Sequence, residues 1–311
     1  PGAADEAPPA HRPWLQKALL AGLLITLVPL VGGLIDLQQH KTSDTTQIIA
    51  HRGAAGARPE NTMAAFSLAI EDKATWVELD VQESADGEII VMHDSDYMKI
   101  AGVNLKTWDA TLDTLADIDI GSWFDPGYAG ERTPTLEEVL ELAKDSGSGI
   151  LIELKYYGHD EKLEQRVADV VEKTGMSDQV RAMSLKYAAV QKMKALRPDW
   201  TVGLLASVTV GNLAALDADF LAVNMATASA QLVHDARAAD KELYVWTVND
   251  PLSMSRMASL GVSGLITDEP AMAREVLEQR SALGTLERFV LALGSKLGMT
   301  VSDKVYRDAS P

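Results

Sequence analysis

Short apolar runs and longer helical patterns alternate along residues 47–280. Runs rich in Val, Ile and Leu, typical of buried strands, recur eight times, as IIAH, WVELDV, GILIELK, VRAMSL, TVGLLA, DFLAVN, LYVWTV and GLITDE. Helical spacing of apolar residues follows most of them, most clearly over residues 61–74, 135–146, 161–174, 187–196 and 229–240. This α/β pattern predicts a (β/α)8 TIM barrel. A doubly wound open sheet is the alternative, but no glycine-rich phosphate loop follows the first strand.

The interval between the second and third strands is longer than a barrel loop should be. Asp86-Gly87 is a hairpin turn signal between two apolar runs. Folding the chain there places Asp80 roughly opposite His93, although His93 could instead cap a strand end. The rest of the insertion, about residues 87–133, is predicted to form a small cap. Its aromatic residues and glycines suit either a substrate wall or simple packing.

Two segments flank the predicted barrel. Residues 1–17 are polar and rich in Ala and Pro, which is typical of disorder. Residues 18–35 carry no charge, so we predict one transmembrane helix over 18–36, joined to the barrel by a linker over 37–46. A buried core helix would show more of a polar face, and a cleaved signal peptide would end in small residues.

The charges around this span predict its orientation. Arg12 and Lys17 precede it, and only Lys41 closely follows it, so the positive-inside rule places the catalytic domain outside the cytoplasm. Residues 281–311 are predicted to form a C-terminal amphipathic helix and tail. This helix would pack against the barrel or lie on a membrane surface.

The composition excludes several classes of function. The chain has 45 acidic and 28 basic residues and a net charge of −17, which would repel nucleic acid. It has no cysteine, which excludes disulfides, thiolate nucleophiles and cysteine metal ligands. No sequence pattern specifies an oligomeric state.

Polar residues stand repeatedly where the predicted strands end. In a barrel the carboxyl ends of all strands meet at one mouth, where active sites form. One such residue could be a cap, but five groups favour a functional site: His51-Arg52, Glu78 with Asp80, Glu153 with Lys155, Trp246-Thr247 with Asn249, and Thr267-Asp268.

Three of these residues suit a metal site. Strand alternation puts Glu78 and Asp80 on one face, and Glu153 follows on the next strand. Three converging carboxylates repel each other unless a cation bridges them. The negative charge of the three carboxylates and a phosphodiester exceeds the positive charge of Arg52 and Lys155 by two. One divalent ion would neutralise this excess. Oxygen ligands favour Mg²⁺ or Ca²⁺.

The remaining residues suit acid–base chemistry on a phosphate. His51 and His93 have side chains that titrate near neutral pH and are the natural general acid and base. Arginine and lysine side chains clamp phosphate oxygens, so Arg52 and Lys155 are candidate phosphate-binding residues.

Eight motifs in this order resemble the glycerophosphodiester phosphodiesterase family, whose membrane-anchored bacterial-type branch also has a span like the one predicted before this barrel. They are AHRG (50–53), PENT (59–62), ELDV (78–81), VMHD (91–94), PTLEEVL (134–140), IELK (152–155), WTVND (246–250) and ITDEP (266–270). The resemblance implies the same catalytic, metal-binding and phosphate-binding roles. It adds Trp246 on the alcohol side and Glu60 near His51. After VMHD the family usually carries an arginine, whereas Lys99 is the nearest cation here.

The resemblance therefore implies metal-dependent hydrolysis of glycerophosphodiesters to glycerol 3-phosphate and an alcohol. The first alternative is a lysophospholipase D or sphingomyelinase D-like phosphodiesterase that acts on membrane lipids. The second, from another class, is a catalytically silent surface binding protein on the same barrel.

Overall fold

The computed structural model describes residues 46–208 and 211–283. Its strands, in chain order, are β1 (Gln47–Ala50), β2 (Trp76–Glu83), β3 (Ile89–Val91), β4 (Asp96–Tyr97), β5 (Val103–Lys106), β6 (Gly149–Leu154), β7 (Val180–Ser184), β8 (Thr201–Ala206), β9 (Phe220–Asn224), β10 (Glu242–Trp246) and β11 (Gly264–Thr267). Eight of them pair in parallel in the order β1, β2, β6, β7, β8, β9, β10 and β11, and β11 pairs with β1 again. The predicted barrel is confirmed.

Most of the helices pack around this barrel, and the two short ones over residues 98–101 and 112–116 lie in the segment that links β3 to β6. The helices are α1 (Met63–Glu71), α2 (Met98–Ala101), α3 (Leu112–Ala116), α4 (Leu136–Ala143), α5 (Leu163–Thr174), α6 (Tyr187–Leu196), α7 (Ala230–Ala238), α8 (Pro251–Leu260) and α9 (Pro270–Ala282). Side chains of Thr62 and Thr135 cap α1 and α4, so each of these helices begins at the residue after its threonine. Between β8 and β9 the described residues form only a short 3₁₀ turn, Leu213–Ala215.

Strand alternation creates two apolar layers. One layer fills the barrel interior and includes Ile49, Leu151, Met183, Phe220 and Tyr244. The other lies between the strands and the surrounding helices. Side chains two residues beyond those of the interior layer therefore point into the mouth at the carboxyl ends of the strands.

A polar network closes the opposite end of the barrel. The Trp76 indole donates to Gln47 Oε1 at 2.6 Å, and the Arg181 guanidinium lies 4.5 Å from the centre of the Trp76 ring. Arg181 also pairs with Glu242 and donates to the Tyr244 hydroxyl. This end is filled by structural contacts, which leaves the carboxyl-terminal mouth as the place for a ligand.

The segment after β2 forms a small unit that we call the cap, residues 87–133. It contains the β4–β5 hairpin, α2 and α3. It also contains β3, and it has its own apolar cluster around Tyr97, Ile100, Leu115 and Ile120. It returns to the barrel before α4.

The predicted pairing of Asp80 with His93 is wrong by one residue. β2 and β3 pair with Val81 opposite Val91, and the Met92 amide donates to the Asp80 carbonyl at 2.9 Å. The turn has three residues rather than two, because Gly87 takes a left-handed conformation with φ +84°. His93 therefore follows the paired residue instead of occupying its position.

No helix within residues 46–208 and 211–283 is long and apolar enough to cross a membrane. The transmembrane helix, linker and C-terminal amphipathic helix predicted from the sequence fall on residues 1–45 and 284–311, outside the described residues, apart from their ends nearest the barrel.

Candidate active site

The loop after β1 places two functional side chains at the mouth. His51 and Arg52 follow the strand directly, and Arg52 has a left-handed φ of +52°. Gly53 follows with φ +82°, and a Cβ there would lie 2.7 Å from the Ala65 backbone. A glycine is therefore needed for the loop to fold back against α1. The Arg52 amide donates to Glu78 Oε2 at 2.8 Å, which ties this loop to the next strand.

Three buried carboxylates meet beside this loop. Asp80 and Glu153 are paired residues on neighbouring strands, and Glu78 lies two residues before Asp80. One carboxylate oxygen from each of the three lies within 4.8 Å of the others. The Asn61 side-chain amide donates to Asp80 Oδ2 at 2.9 Å, while its buried Oδ1 has no hydrogen-bond partner among the described residues.

The electrostatics of these carboxylates fit a bound cation. Burial and the charge of Asp80 raise the pKa of Glu78 to about 8. Burial also raises the pKa of Glu153, despite the opposing effect of Lys155. The Asp80 carboxyl is buried too, but Lys155, His93 and Arg52 hold its pKa well below the usual range. A divalent ion on three oxygen ligands would relieve this repulsion, so the residues fit Mg²⁺ or Ca²⁺.

Two cations flank Asp80. Arg52 Nε lies 3.4 Å from Asp80 Oδ2, and Lys155 Nζ lies 3.5 Å from Asp80 Oδ1. Lys155 also donates to Glu153 Oε1 at 3.0 Å. Glu60 accepts from Arg52 Nη1 at 3.0 Å and lies 3.5 Å from Lys99 Nζ. The structure thus shows Glu60 orienting Arg52, a contact that the sequence did not predict.

His51 belongs to a chain of hydrogen bonds across β11. Its Nδ1 lies 2.7 Å from Asp268 Oδ1, and Asn249 Nδ2 donates to Asp268 Oδ2 at 2.5 Å. Burial and Arg52 lower the pKa of His51, but the carboxylates of Asp268 and Glu78 outweigh them and raise it to about 9. The carboxylate accepts from Nδ1, so Nε2 is the nitrogen left for a substrate.

His93 has a carboxylate partner of its own. Its Nδ1 lies 2.7 Å from Asp94 Oδ1, and its carbonyl accepts from the Tyr157 hydroxyl at 2.6 Å. The hydrogen bond to His93 is the main reason that the pKa of Asp94 is lowered. Despite the shifted register, His93 lies near enough to both carboxylates to help hold the pKa of Asp80 low and to oppose the rise in the pKa of Glu153.

Trp246 ends β10 and packs against the interior apolar layer. Its buried indole Nε1 has no hydrogen-bond partner among the described residues. An unpaired indole N–H beside the mouth suits a residue that lines a substrate.

Four further residues contact the predicted site without being predicted as site residues from the sequence: Asn61, Tyr157, Asn249 and Asp268. Their position at strand ends is the only signal that the sequence gives for Asn249 and Asp268, because their contact with His51 depends on the closure of β11 onto β1.

A buried carboxylate triad, two cations and two carboxylate-paired histidines lie together at one barrel mouth, an arrangement whose chemistry suits a phosphodiester. The comparisons agree. The sequence matches the Glycerophosphoryl diester phosphodiesterase family over residues 51–272. It is 34% identical to the glycerophosphodiester phosphodiesterase of Caldanaerobacter subterraneus subsp. tengcongensis over 239 residues, 72% of this chain and 95% of the relative. It is 31% identical to that of Bacillus subtilis over 260 residues, 75% of this chain and 87% of the relative.

Solved structures have the same fold. A phosphodiesterase from Oleispira antarctica, in complex with its product sn-glycerol-3-phosphate, superimposes with a TM-score of 0.71 at 29% identity, over 75% of this chain and 96% of that one. A glycerophosphodiester phosphodiesterase from Agrobacterium tumefaciens gives 0.65 at 26% identity, over 74% and 99%. The chain belongs to the glycerophosphoryl diester phosphodiesterase family and is an enzyme of that class.

Proposed function

We propose that this enzyme releases glycerol 3-phosphate and an alcohol from glycerophosphodiesters, using one divalent cation and two histidines. The observation that carries the proposal is the contact between the loop after β1 and the buried triad, which brings His51 and Arg52 to Glu78, Asp80 and Glu153. The product bound to the Oleispira antarctica relative supports glycerol 3-phosphate as the product here.

The charged side chains have separate roles in this proposal. Glu78, Asp80 and Glu153 hold Mg²⁺ or Ca²⁺, which when bound stabilises negative charge that develops on the phosphate. Arg52 and Lys155 bind the phosphate oxygens from either side of Asp80. Glu60 holds the Arg52 guanidinium in place, and Trp246 lines the alcohol.

The two histidines divide the proton transfers. Asp268 keeps His51 protonated near neutral pH, because the pKa of His51 is raised to about 9. His51 therefore donates a proton to the leaving alcohol oxygen from Nε2. His93, oriented by Asp94 and Tyr157, accepts the proton of the attacking hydroxyl. One proton is taken up and one is given, so a single turnover needs both residues.

Product analysis tests the proposal as a whole. Purified full-length protein is incubated with a panel of glycerophosphodiesters and lysolipids, with and without a chelator. We expect glycerol 3-phosphate and the free alcohol from glycerophosphodiesters, and loss of turnover in chelator that added Mg²⁺ or Ca²⁺ restores. Turnover that persists in chelator would contradict the metal assignment. Binding of every substrate without any product would favour the silent binding protein.

Asp268→Asn should change the pH dependence of the reaction. Removing the carboxylate beside His51 removes its main stabilising charge, so the pKa of His51 falls. The alkaline limb of kcat/KM, where the proton donor is lost, should move down by about 1–3 pH units. The measurement is kcat/KM as a function of pH, over a range that includes both the acid and the alkaline limb.

Asn249→Ala provides the comparison. It removes the hydrogen bond to the Asp268 carboxylate and the two that Asn249 Oδ1 accepts from Thr267 and the Asp268 amide, but it leaves the carboxylate charge. Its alkaline limb should therefore stay closer to that of the wild type. An unmoved limb in Asp268→Asn would mean that His51 is not the proton donor.

We also propose that residues 18–35 anchor the protein in a membrane with the barrel outside the cytoplasm, on the basis of the uncharged run and the positions of Arg12 and Lys17. The full-length protein should fractionate with membranes, and protease added to intact cells with a permeable outer layer should reach the barrel. Recovery in the soluble fraction, or protection until the cells are lysed, would contradict this proposal.

A further inference from the structure

His93 lies outside the strands of the barrel. β3 ends at Val91, and the chain then leaves the barrel for the rest of the cap. A group that transfers a proton has to be held within about 0.5 Å of its productive position. The contacts that hold the backbone of His93 against the metal site therefore bear on its proposed role.

The side chain of Gln82 supplies the first of these contacts. It is only 4% exposed, and its Nε2 donates to the carbonyls of Met92 at 2.7 Å and Asp94 at 2.8 Å. The His93 carbonyl lies 3.4 Å from the same nitrogen. Carbonyl oxygens only accept, so the amide group can face them in one orientation alone, with both of its hydrogens in use. The chain from Met92 to Asp94 thus curves around this nitrogen.

Gln82 belongs to the strand that carries two of the three carboxylates. Glu78, Asp80 and Gln82 are two residues apart in β2, so strand alternation puts their side chains on one side. The Asp80 carbonyl accepts from the Met92 amide at 2.9 Å on the same strand. These contacts explain how His93 comes near Asp80 even though Met92 occupies the position opposite it.

A second donor reaches the His93 carbonyl from the neighbouring strand. The Tyr157 hydroxyl donates to this carbonyl at 2.6 Å, and Tyr157 lies two residues after Lys155 in the loop that follows β6. β6 carries Glu153, which pairs with Asp80. The backbone of His93 is therefore held from both strands that carry the carboxylate triad.

Contacts within the cap are concentrated on the residues that follow. The Thr107 amide donates to the Ser95 carbonyl at 3.2 Å, and Lys106 pairs with Asp96 at 2.6 Å. The Thr107 hydroxyl reaches the Asp94 carbonyl only at 3.5 Å. This division ties His93 to the barrel more closely than to the cap.

We propose that Gln82 is a positioning residue for His93, with the Tyr157 hydroxyl as its second support. Together they fix the backbone from Met92 to Asp94 so that the His93 imidazole faces the phosphate at the metal site. The inference rests on the proposed function, in which His93 accepts a proton, and adds the residue through which β2 holds it in place. A displacement of about 1 Å at a reacting group can lower a rate by about 100-fold.

Gln82→Met tests this proposal, because methionine has a similar length and volume but donates no hydrogen bond. With full-length protein and the glycerophosphodiester that it hydrolyses fastest, we expect kcat to fall ~10–100-fold. KM and metal affinity should stay within a few-fold, because other residues bind the phosphate and the metal. Steady-state kinetics and calorimetric titration with Mg²⁺ or Ca²⁺ measure these quantities. Weaker metal binding, with kcat restored by excess metal, would overturn the proposal in favour of a role at Asp80.

A double variant shows whether Gln82 acts through His93. Adding Gln82→Met to His93→Gln should leave kcat within about twofold of that of His93→Gln alone, because the residue to be positioned is already lost. A loss as large as in the wild-type background would contradict the proposal, since Gln82 would then act on some other group.

Ser148→Ala is the matched control for a buried hydrogen bond. The Ser148 hydroxyl is buried and donates to the Ala74 carbonyl at 2.7 Å, at the opposite end of the barrel. Both Ser148→Ala and Gln82→Met should lower the melting temperature, and only Gln82→Met should lower kcat. Unchanged kcat in folded Gln82→Met, or an equal loss in the control, would refute the positioning role.

Tyr157→Phe decides the matter if Gln82→Met does not fold. Tyr157 is 40% exposed, so the fold should survive, and loss of one hydrogen bond to the His93 carbonyl should lower kcat about 3–10-fold. Unchanged kcat would contradict the proposed support of His93. His93→Gln separates this failure from failure of the proposed function. Near-normal turnover in His93→Gln contradicts the function itself, whereas a large loss there beside normal turnover in the Gln82 and Tyr157 variants contradicts only this inference.

Discussion

Replacing His51 or His93 by Gln should lower kcat by ~10²–10⁴-fold while the metal still binds. Each ring holds a carboxylate through Nδ1, and the glutamine amide that replaces the ring cannot exchange a proton near neutral pH. The loss is therefore expected in the chemical step. Steady-state kinetics measures it, and calorimetric titration with Mg²⁺ or Ca²⁺ shows whether the metal site survives.

His234→Gln is the matched control for these variants. His234 lies on α7, its side chain is 76% exposed, and it also has a neighbouring carboxylate, Asp235. Its kcat should equal that of the wild type. If His51→Gln or His93→Gln kept near-normal turnover, that residue would have no part in proton transfer. If metal binding were lost as well, the kinetic defect would report a damaged site instead.

The strands and helices could be predicted because each depends mainly on residues that are close together in sequence. A run of Val, Ile and Leu indicates each barrel strand. The helix α6 occupies the predicted residues, Tyr187–Leu196. Helices shorter than predicted, such as α1 and α4, begin after a capping threonine that the apolar pattern does not distinguish from the first turn. Periodicity specifies elements well because it depends only on local spacing.

The hairpin after β2 shows where local reasoning fails. Asp86-Gly87 lies in the turn, as the sequence predicts, but a two-residue and a three-residue loop share this dipeptide. The conformation of Gly87 adds one residue to the loop and moves His93 one position beyond Asp80. A change of one residue at a turn therefore shifts every pairing predicted from it.

The contacts that tune the site could not be predicted from spacing. Asp268 lies more than two hundred residues from His51, and only the pairing of β11 with β1 brings the two together. Glu60 and Asn61 are close to Arg52 in sequence, yet their contacts depend on left-handed conformations at Arg52 and Asn61. The types of residue indicate the chemistry, while the closed barrel determines which carboxylate lies beside each cationic side chain.

Glu78→Gln, Asp80→Asn and Glu153→Gln should each weaken divalent metal binding by at least ~100-fold, with excess metal restoring part of the activity. Second-layer contacts already change metal affinity by about 10–100-fold, so loss of a direct oxygen ligand should cost more. Metal binding by the wild type should also strengthen as pH rises from 6 to 8, because the pKa of Glu78 is raised to about 8 and its proton must leave first. Calorimetric titration across this pH range measures both effects.

The same raised pKa gives the metal-free protein a distinct stability profile. Between the ordinary pKa of Glu78, 4.5, and about 8, the folded state holds a proton that the unfolded state has released. The Glu78 contribution to the free energy of unfolding should therefore fall as pH rises through this window, and added metal should restore more stability at pH 8 than at pH 5. Thermal unfolding of wild type with and without metal measures the difference, and Glu78→Gln should abolish most of it.

Glu83→Gln is the control that distinguishes loss of a metal ligand from a general weakening of β2. Glu83 is a buried carboxylate of the same strand, but it accepts from the amides of Glu161 and Lys162 and pairs with Arg166 at 2.8 Å. Its loss should lower the melting temperature, because a buried charge network is broken, and should leave metal affinity within a few-fold of the wild type. Equal losses of metal affinity in Glu83→Gln and in the triad variants would show that the effect is a general weakening of the strand. Normal affinity in all three triad variants would mean that the metal binds elsewhere.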